Sequence, residues 1–108
     1  MVEEKKLKSE YFEFKGFLSF LIMHEIKSKA LSGDELAVKI GKRKGTILTP
    51  GTIYPALKNL RKKKLIKFKQ SGRKKYYSLT DVGEKELENL YMVFSRYFFG
   101  LKKHIKKQ

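Results

Sequence analysis

At 108 residues, the chain has room for one domain and not comfortably for two. Its 26 Lys plus Arg outnumber 11 Asp plus Glu, leaving a formal net charge of +15; so large an excess repels itself and favours a polyanionic partner, either nucleic acid or an acidic membrane surface. The absence of cysteine excludes disulfides, thiolate catalysis and thiolate metal sites. His24 and His104 stand in separate stretches without neighbouring ligands, so neither a metal nor a cofactor is expected. No apolar run approaches the ~20 residues that cross a bilayer, and no signal-peptide pattern opens the chain. The expected location is cytoplasmic, with no membrane partner.

Met1 to Ser9 is mixed in charge and without periodicity, an arm or a polar first turn. From Glu10 to Lys29, the residues Phe14, Phe17, Leu18, Leu21, Ile22 and Ile26 recur at spacings of three and four, which predicts a helix with a broad apolar face. Gly16 weakens it by roughly 1 kcal/mol. Tyr11, Phe12 and Phe20 widen the apolar surface. They serve either ordinary core packing or, for Tyr11 and Phe12, a seam between two subunits. His24 receives no role.

Leu31 to Glu35 reads as a turn into a second helix, with Ser32 and Glu35 in the spacing of a capping box. Leu36, Ala37 and Ile40 face inward, and Gly41 is expected to begin the end of that helix. Gly41 to Leu48 then forms a connection in which Ile47 or Leu48 anchors to the core. Lys42, Arg43 and Lys44 make it a charged knuckle, either a solvated face or a set of phosphate contacts.

The chain is organised around Thr49 to Lys64, TPGTIYPALKNLRKKK. Thr49 is suited to cap a helix and Pro50 to its first turn. Pro55 leaves two starts open: a helix from Pro50 that forfeits one hydrogen bond at Pro55, or one capped by Thr52 with Pro55 in the free first turn. In both, Ile53, Ala56, Leu57 and Leu60 point to the core. Thr49, Gly51 and Thr52 occupy the exposed end, Pro55, Asn59 and Lys62 share a face with Thr52, and Tyr54, Lys58 and Arg61 form an adjacent row. Asn pairs well with adenine and Arg with guanine, while Thr and Tyr hydroxyls often meet phosphate; a helix of this make-up fits a nucleic-acid groove.

Leu65 to Lys69 and Arg73 to Leu79 alternate as two antiparallel strands around a turn at Gln70, Ser71 and Gly72. Ile66, Phe68, Tyr77 and Leu79 should rest on the helices, because a lone hairpin is marginal. Lys67, Lys69, Arg73, Lys74 and Lys75 then project as a basic wing. Thr80 caps a last helix whose stripe runs through Leu87, Leu90, Tyr91, Phe94, Phe98, Leu101 and Ile105, more apolar surface than one small domain can bury. A second copy of the helix is the expected cover, with folding back onto Glu10 to Lys29 as the alternative.

The chain resembles the PadR-like family of winged-helix transcriptional regulators. The resemblance rests on Leu31-Ser32-Gly33 with Glu35-Leu36-Ala37, on Pro50-Gly51-Thr52-Ile53-Tyr54-Pro55-Ala56-Leu57, on Leu60 and Leu65-Ile66, and on Gly72 through Thr80 followed by Gly83. It departs at Asp34, where relatives commonly carry Tyr. It implies an α+β fold, with a winged helix-turn-helix domain over residues 10–80 and a dimerisation helix over residues 81–107 that packs with the N-terminal helix. It further implies a homodimer that binds a near-palindromic double-stranded DNA operator, most often as a repressor, and a small aromatic effector near the dimer interface as a candidate ligand. The expected DNA contacts are Lys42, Arg43, Lys44, Thr49, Gly51, Thr52, Tyr54, Pro55, Lys58, Asn59, Arg61, Lys62, Lys69, Arg73, Lys74 and Lys75. The expected dimer seam is Tyr11, Phe12 and the stripe from Leu87 to Ile105. No nucleophile and base converge, so no enzymatic activity is expected. The competing readings are a weakly specific architectural DNA-binding protein, for which charge alone would suffice, and an adaptor using the aromatic last helix.

Overall fold

Aliphatic side chains spaced for helix and strand close the fold around one core. A computed structural model describes residues 14–106. Its elements run α1 (Phe14–Glu25), β1 (Leu31–Ser32), α2 (Gly33–Lys44), α3 (Pro50–Lys62), β2 (Ile66–Ser71), β3 (Lys74–Leu79), α4 (Asp81–Phe98) and a short 3-10 turn, Lys102–His104. The strands form an antiparallel sheet in the order β1-β3-β2. This is the α+β winged helix-turn-helix expected, with a long final helix. Tyr11 and Phe12 lie outside the described residues.

The core joins Leu18, Leu21, Ile22 and Ile26 to Leu36 and Ile40 of α2, Ile53, Leu57 and Leu60 of α3, Leu31, Ile66, Tyr77 and Leu79 of the sheet, and Leu87 of α4. Each such aliphatic side chain contributes about 1.5–3 kcal/mol by leaving water. Leu48 is buried and anchors the α2–α3 connection, whereas its neighbour Ile47 is exposed.

Leu31 and Ser32 were expected in a turn but pair with Tyr77 and Tyr76 of β3 as a short strand. Ser32 passes directly from that strand into α2. Its Oγ accepts from the Glu35 amide at 3.2 Å, and its own amide donates to Glu35 Oε1 at 3.1 Å, completing the capping box. Gly41 does not end this helix. The helix continues to Lys44 and stops at Gly45, whose φ of +88° is left-handed. At Gly41 a Cβ would lie 2.1 Å from the Thr46 carbonyl oxygen, so its role is close packing of the chain as it turns back toward α3.

α3 begins at Pro50, the first of the two starts the sequence allowed. Thr49 is the N-cap by its backbone, with its carbonyl accepting from the Thr52 and Ile53 amides at 3.0 and 3.1 Å. Its hydroxyl does not cap an amide but meets the Thr52 hydroxyl at 3.1 Å. Pro55 therefore lies inside the helix and offers no hydrogen to the Gly51 carbonyl; both residues are exposed, so water can replace the missing donor.

β2 and β3 extend to Ser71 and from Lys74, shortening the expected turn to Gly72 and Arg73. Gly72 has φ +61° while Arg73 does not enter the left-handed region, the pattern of a type II′ hairpin turn. Thr80 caps α4 by accepting from the Gly83 amide at 3.0 Å, and its hydroxyl donates to the Lys64 carbonyl at 2.7 Å. A Cβ on Gly83 would fall 1.9 Å from the Leu65 carbonyl oxygen. The first turn of α4 is thus seated against the α3–β2 corner, a contact only glycine permits.

Leu87 is buried and Leu90, Tyr91 and Phe94 are half-buried. Phe94 packs on α1 of the same chain, with its ring 4.9 Å from Phe17 and 4.4 Å from Phe20. Met92, Tyr97, Phe98 and Phe99 are exposed. The helix expected to run through residue 107 ends at Phe98; Gly100 (φ +84°) leads into the 3-10 turn, and Leu101 and Ile105 stay exposed. No described helix is long and apolar enough to cross a membrane.

Candidate nucleic-acid interface

The apolar repeat of α3 turns Ile53, Leu57 and Leu60 inward, and the same rotation turns Tyr54, Pro55, Lys58, Asn59, Arg61 and Lys62 outward. Thr49 and Gly51 are exposed at the start of this helix and Thr52 is half-buried. Arg61 leans toward the hairpin, with its guanidinium carbon 4.3 Å from the Phe68 ring centroid; Lys75 Nζ lies 4.6 Å from the same centroid. Phe68 pairs across the strands with Tyr77, ring to ring at 6.0 Å. One aromatic ring therefore joins the C-terminal half of α3 to both strands of the wing, and Lys69, Arg73, Lys74 and Lys75 project from that wing into solvent.

Tyr54 is tied in the other direction. Its hydroxyl donates to Asp34 Oδ1 at 3.3 Å, and its ring covers the start of α2, where a Cβ on Gly33 would come within 2.7 Å of it. Partial desolvation, followed by the Asp34 carboxylate, raises the Tyr54 phenol above its ordinary value of 10.0. Burial likewise raises Tyr77, against an opposing effect of the Arg61 charge. The Ser32 amide holds Glu35 below the usual carboxylate range, reinforced by Lys29 and Lys74. Tyr54, Asp34 and the wing residues Arg73, Lys74 and Lys75, with Ser32, Gly33 and Tyr77, line an open cleft of about 270 Å³.

Lys42, Arg43 and Lys44 occupy the last turn of α2 rather than a loop. Arg43 donates from Nε and Nη2 to Glu25 Oε2 at 3.3 and 3.1 Å, which binds it to the end of α1. Lys42 is exposed. The structure therefore brings together the α3 face and the wing, through Phe68 on one side and the Asp34 cleft on the other.

The sequence reading missed the Tyr54–Asp34 hydrogen bond, the Phe68 platform and the His24 Nδ1–Tyr91 hydroxyl hydrogen bond between α1 and α4. Each joins residues from different elements, and no local spacing signals such a pair. Among the described residues, no group of three or more His, Asp or Glu could hold a metal ion.

The model of the Transcriptional regulator PadR-like family matches residues 22–89, which span α2, α3 and the wing. A PadR family transcription regulator from Clostridium difficile is 32% identical, with a TM-score of 0.66, over 82% of this chain and 97% of its own. A PadR-like transcriptional regulator from Bacillus cereus is 31% identical, with a TM-score of 0.72, over 88% and 97%. A PadR-like transcription factor from Bacteroides fragilis is 26% identical, with a TM-score of 0.70, over 84% and 92%. No match was found among curated proteins. On the family match and on a recognition helix, basic wing and long final helix in their expected order, the chain belongs to the PadR-like family of DNA-binding, winged-helix transcriptional regulators.

Proposed function

We propose that the protein is a cytoplasmic, sequence-selective repressor that binds a near-palindromic operator in double-stranded DNA as a homodimer. The observation that carries this reading is the exposed row of α3 standing beside a basic hairpin, linked through Phe68. Thr52, Tyr54, Pro55, Asn59 and Lys62 are the α3 residues assigned to the groove. Thr49, Gly51, Lys58, Arg61, Lys69, Arg73, Lys74 and Lys75 flank it and hold the backbone, with Lys42, Arg43 and Lys44 as outer contacts.

The homodimer is supported by the exposed apolar end of the chain, where Tyr97 is 74% and Phe99 89% exposed beside Phe98, Leu101 and Ile105. A second copy would cover this surface, with Leu87, Leu90, Tyr91 and Phe94 supporting it from the α1 side. The rings of Phe17, Phe20, Tyr91, Phe94 and Phe98 form a chain of aromatic contacts, which is the stacking surface available to a small aromatic effector.

Selection of binding sites from random duplex DNA, with nonspecific competitor at near-physiological salt, tests the reading. An inverted repeat with half-site centres about one helical turn or a multiple apart supports a dimeric operator binder. Bound but unenriched sequences would replace it with a weakly specific architectural protein, for which the +15 charge is sufficient. Binding should also fall by ~0.9 log unit per log unit of salt for every phosphate neutralised. A flat salt dependence in a filter or anisotropy titration would remove the assigned backbone contacts.

A further inference from the structure

Asp34 has the opposite charge to the wing it faces. It stands in the first turn of α2 and lines the same cleft as Arg73, Lys74 and Lys75. The first turn of a helix welcomes a carboxylate, which accounts for Asp34 in isolation but not for its partner. Tyr54 comes from α3, its ring lies over Gly33 where any side chain would collide with it, and its hydroxyl donates to Asp34 Oδ1 at 3.3 Å. That hydrogen bond directs the phenolic proton toward Asp34. The lone pairs of the phenol oxygen, together with Asp34 Oδ2, are then left as acceptors; Oδ2 has no hydrogen-bond partner among the described residues.

An acceptor-only pair cannot serve a DNA phosphate, which also only accepts and carries the same charge. The groups on DNA that can satisfy it are the exocyclic amino groups of bases. In the major groove cytosine presents its amino group alone, whereas adenine places an N7 acceptor beside its amino group and guanine presents two acceptors. An acceptor site with no donor in it therefore fits cytosine best, taking the one amino hydrogen that base pairing leaves free, and disfavours bases that present an acceptor there.

We propose that Asp34, oriented together with the Tyr54 hydroxyl, is a specificity-determining residue of the DNA interface that accepts a hydrogen bond from the amino group of a cytosine in each half-site. This rests on the reading of the α3 face as a sequence-selective DNA surface. The surrounding lysines hold the duplex and carry no sequence information, so the discrimination at this position belongs to the acceptor pair.

The experiment is site selection from random duplexes with the full chain, run in parallel on wild type, Asp34→Asn and Tyr54→Phe. Asn keeps the size of Asp while removing its charge and adding donors. Phe keeps the ring over Gly33 and removes only the hydroxyl. Wild type is expected to enrich a cytosine at one position of each half-site by roughly tenfold or more. Asp34→Asn should lose that preference at that position alone, and Tyr54→Phe should weaken it, while the rest of the recovered site stays the same. A purely structural role for Asp34 predicts a lower melting temperature and weaker binding to every sequence, with the preferences unchanged, and that result would overturn the proposal. If wild type recovers an inverted repeat whose bases are identical in all three selections, only the role of Asp34 fails. If wild type enriches no sequence at all, the operator reading fails with it.

Discussion

Glycine acts in opposite ways at two positions of this chain. Gly83 meets the Leu65 carbonyl oxygen so closely that a Cβ would lie 1.9 Å away, whereas a Cβ on Gly16 would meet nothing within 4 Å. Gly83→Ala should therefore destabilise the protein by about 2–3 kcal/mol, because two backbones must separate. Gly16→Ala, in an exposed helical position, should stabilise it by roughly 0.5–1 kcal/mol by removing backbone freedom from the unfolded chain. Denaturant midpoints of the two variants would move in opposite directions, and a shift of both in the same sense would contradict these placements. Glu35 supplies a pH-dependent contribution at the same scale. Its carboxyl is held below its ordinary value of 4.5 by the Ser32 amide, so the capping contribution is complete above the unfolded value and is lost as pH falls through the folded one. The stability advantage of wild type over Glu35→Ala should be constant near neutral pH and shrink below about pH 4.5. Thermal melts across that range would read it directly, and an advantage independent of pH would mean that the charged carboxylate is not the cap.

Beyond the core that Ile66, Tyr77 and Leu79 share with α3, one aromatic ring ties the outer part of the wing to that helix. Phe68 lies between the Arg61 guanidinium and the Lys75 ammonium and packs on Tyr77. Replacing it by Ala removes half-buried ring area and two cation–π contacts, each worth about 0.5–1 kcal/mol at an exposed site, for a total loss of about 2 kcal/mol. Amide hydrogen exchange should then accelerate in β2 and β3 more than in α2; uniform protection across the domain would show that the ring does not hold the wing. Such cross-element contacts also mark where sequence reading stops. α3 was legible because its start chemistry and its Ile53–Leu57–Leu60 stripe lie within a few turns of each other. The hairpin was legible from alternation alone, though its turn proved tighter than the loop-forming residues suggested. β1 was not, since two residues have no period and its hydrogen bonds come from Tyr76 and Tyr77 far along the chain. Gly41 was read as a stop signal because glycine usually ends helices, but here it is retained for contact with Thr46. The stripe of α4 was read correctly as apolar, yet stripe and helix are different things: the helix stops at Phe98 while apolar residues continue to Ile105. Among the candidate site residues, the exposed rows of α3 were legible from periodicity. The attachment of Arg43 to Glu25 was not, because it is decided by how α1 packs on α2.

At the scale of the whole molecule, burial along α4 divides its stripe into two parts. Leu87, Leu90, Tyr91 and Phe94 pack within the chain, and Phe98, Leu101 and Ile105 remain on the surface. Charged residues at Phe94, or at Phe98 stacked on it, would therefore damage the subunit as well as any seam, so the cleaner test of dimerisation is the double substitution Leu101→Glu and Ile105→Glu. The folded subunit should keep its melting behaviour to within about 1 kcal/mol, since both positions are exposed. Sedimentation equilibrium should show monomers, and affinity for an inverted repeat should drop at least tenfold as the two half-sites lose their linkage. An intact dimer would move the seam elsewhere.

The seat of Gly83 on Leu65 also has a mechanical meaning. α4 has 18 residues and is about 27 Å long, so it acts as a lever whose fulcrum is the Gly83–Leu65 seat at the end of the recognition helix and which Tyr91 and Phe94 brace along α1. A tilt of ~5° at that fulcrum displaces the far tip by roughly 2 Å at this length. With a second subunit gripping the tip, the same small rotation would be returned to the recognition helices as a change in their separation. The fit of the pair to the pitch of DNA would then be set by how rigidly the Gly83 seat and the α1 brace together hold the base of α4.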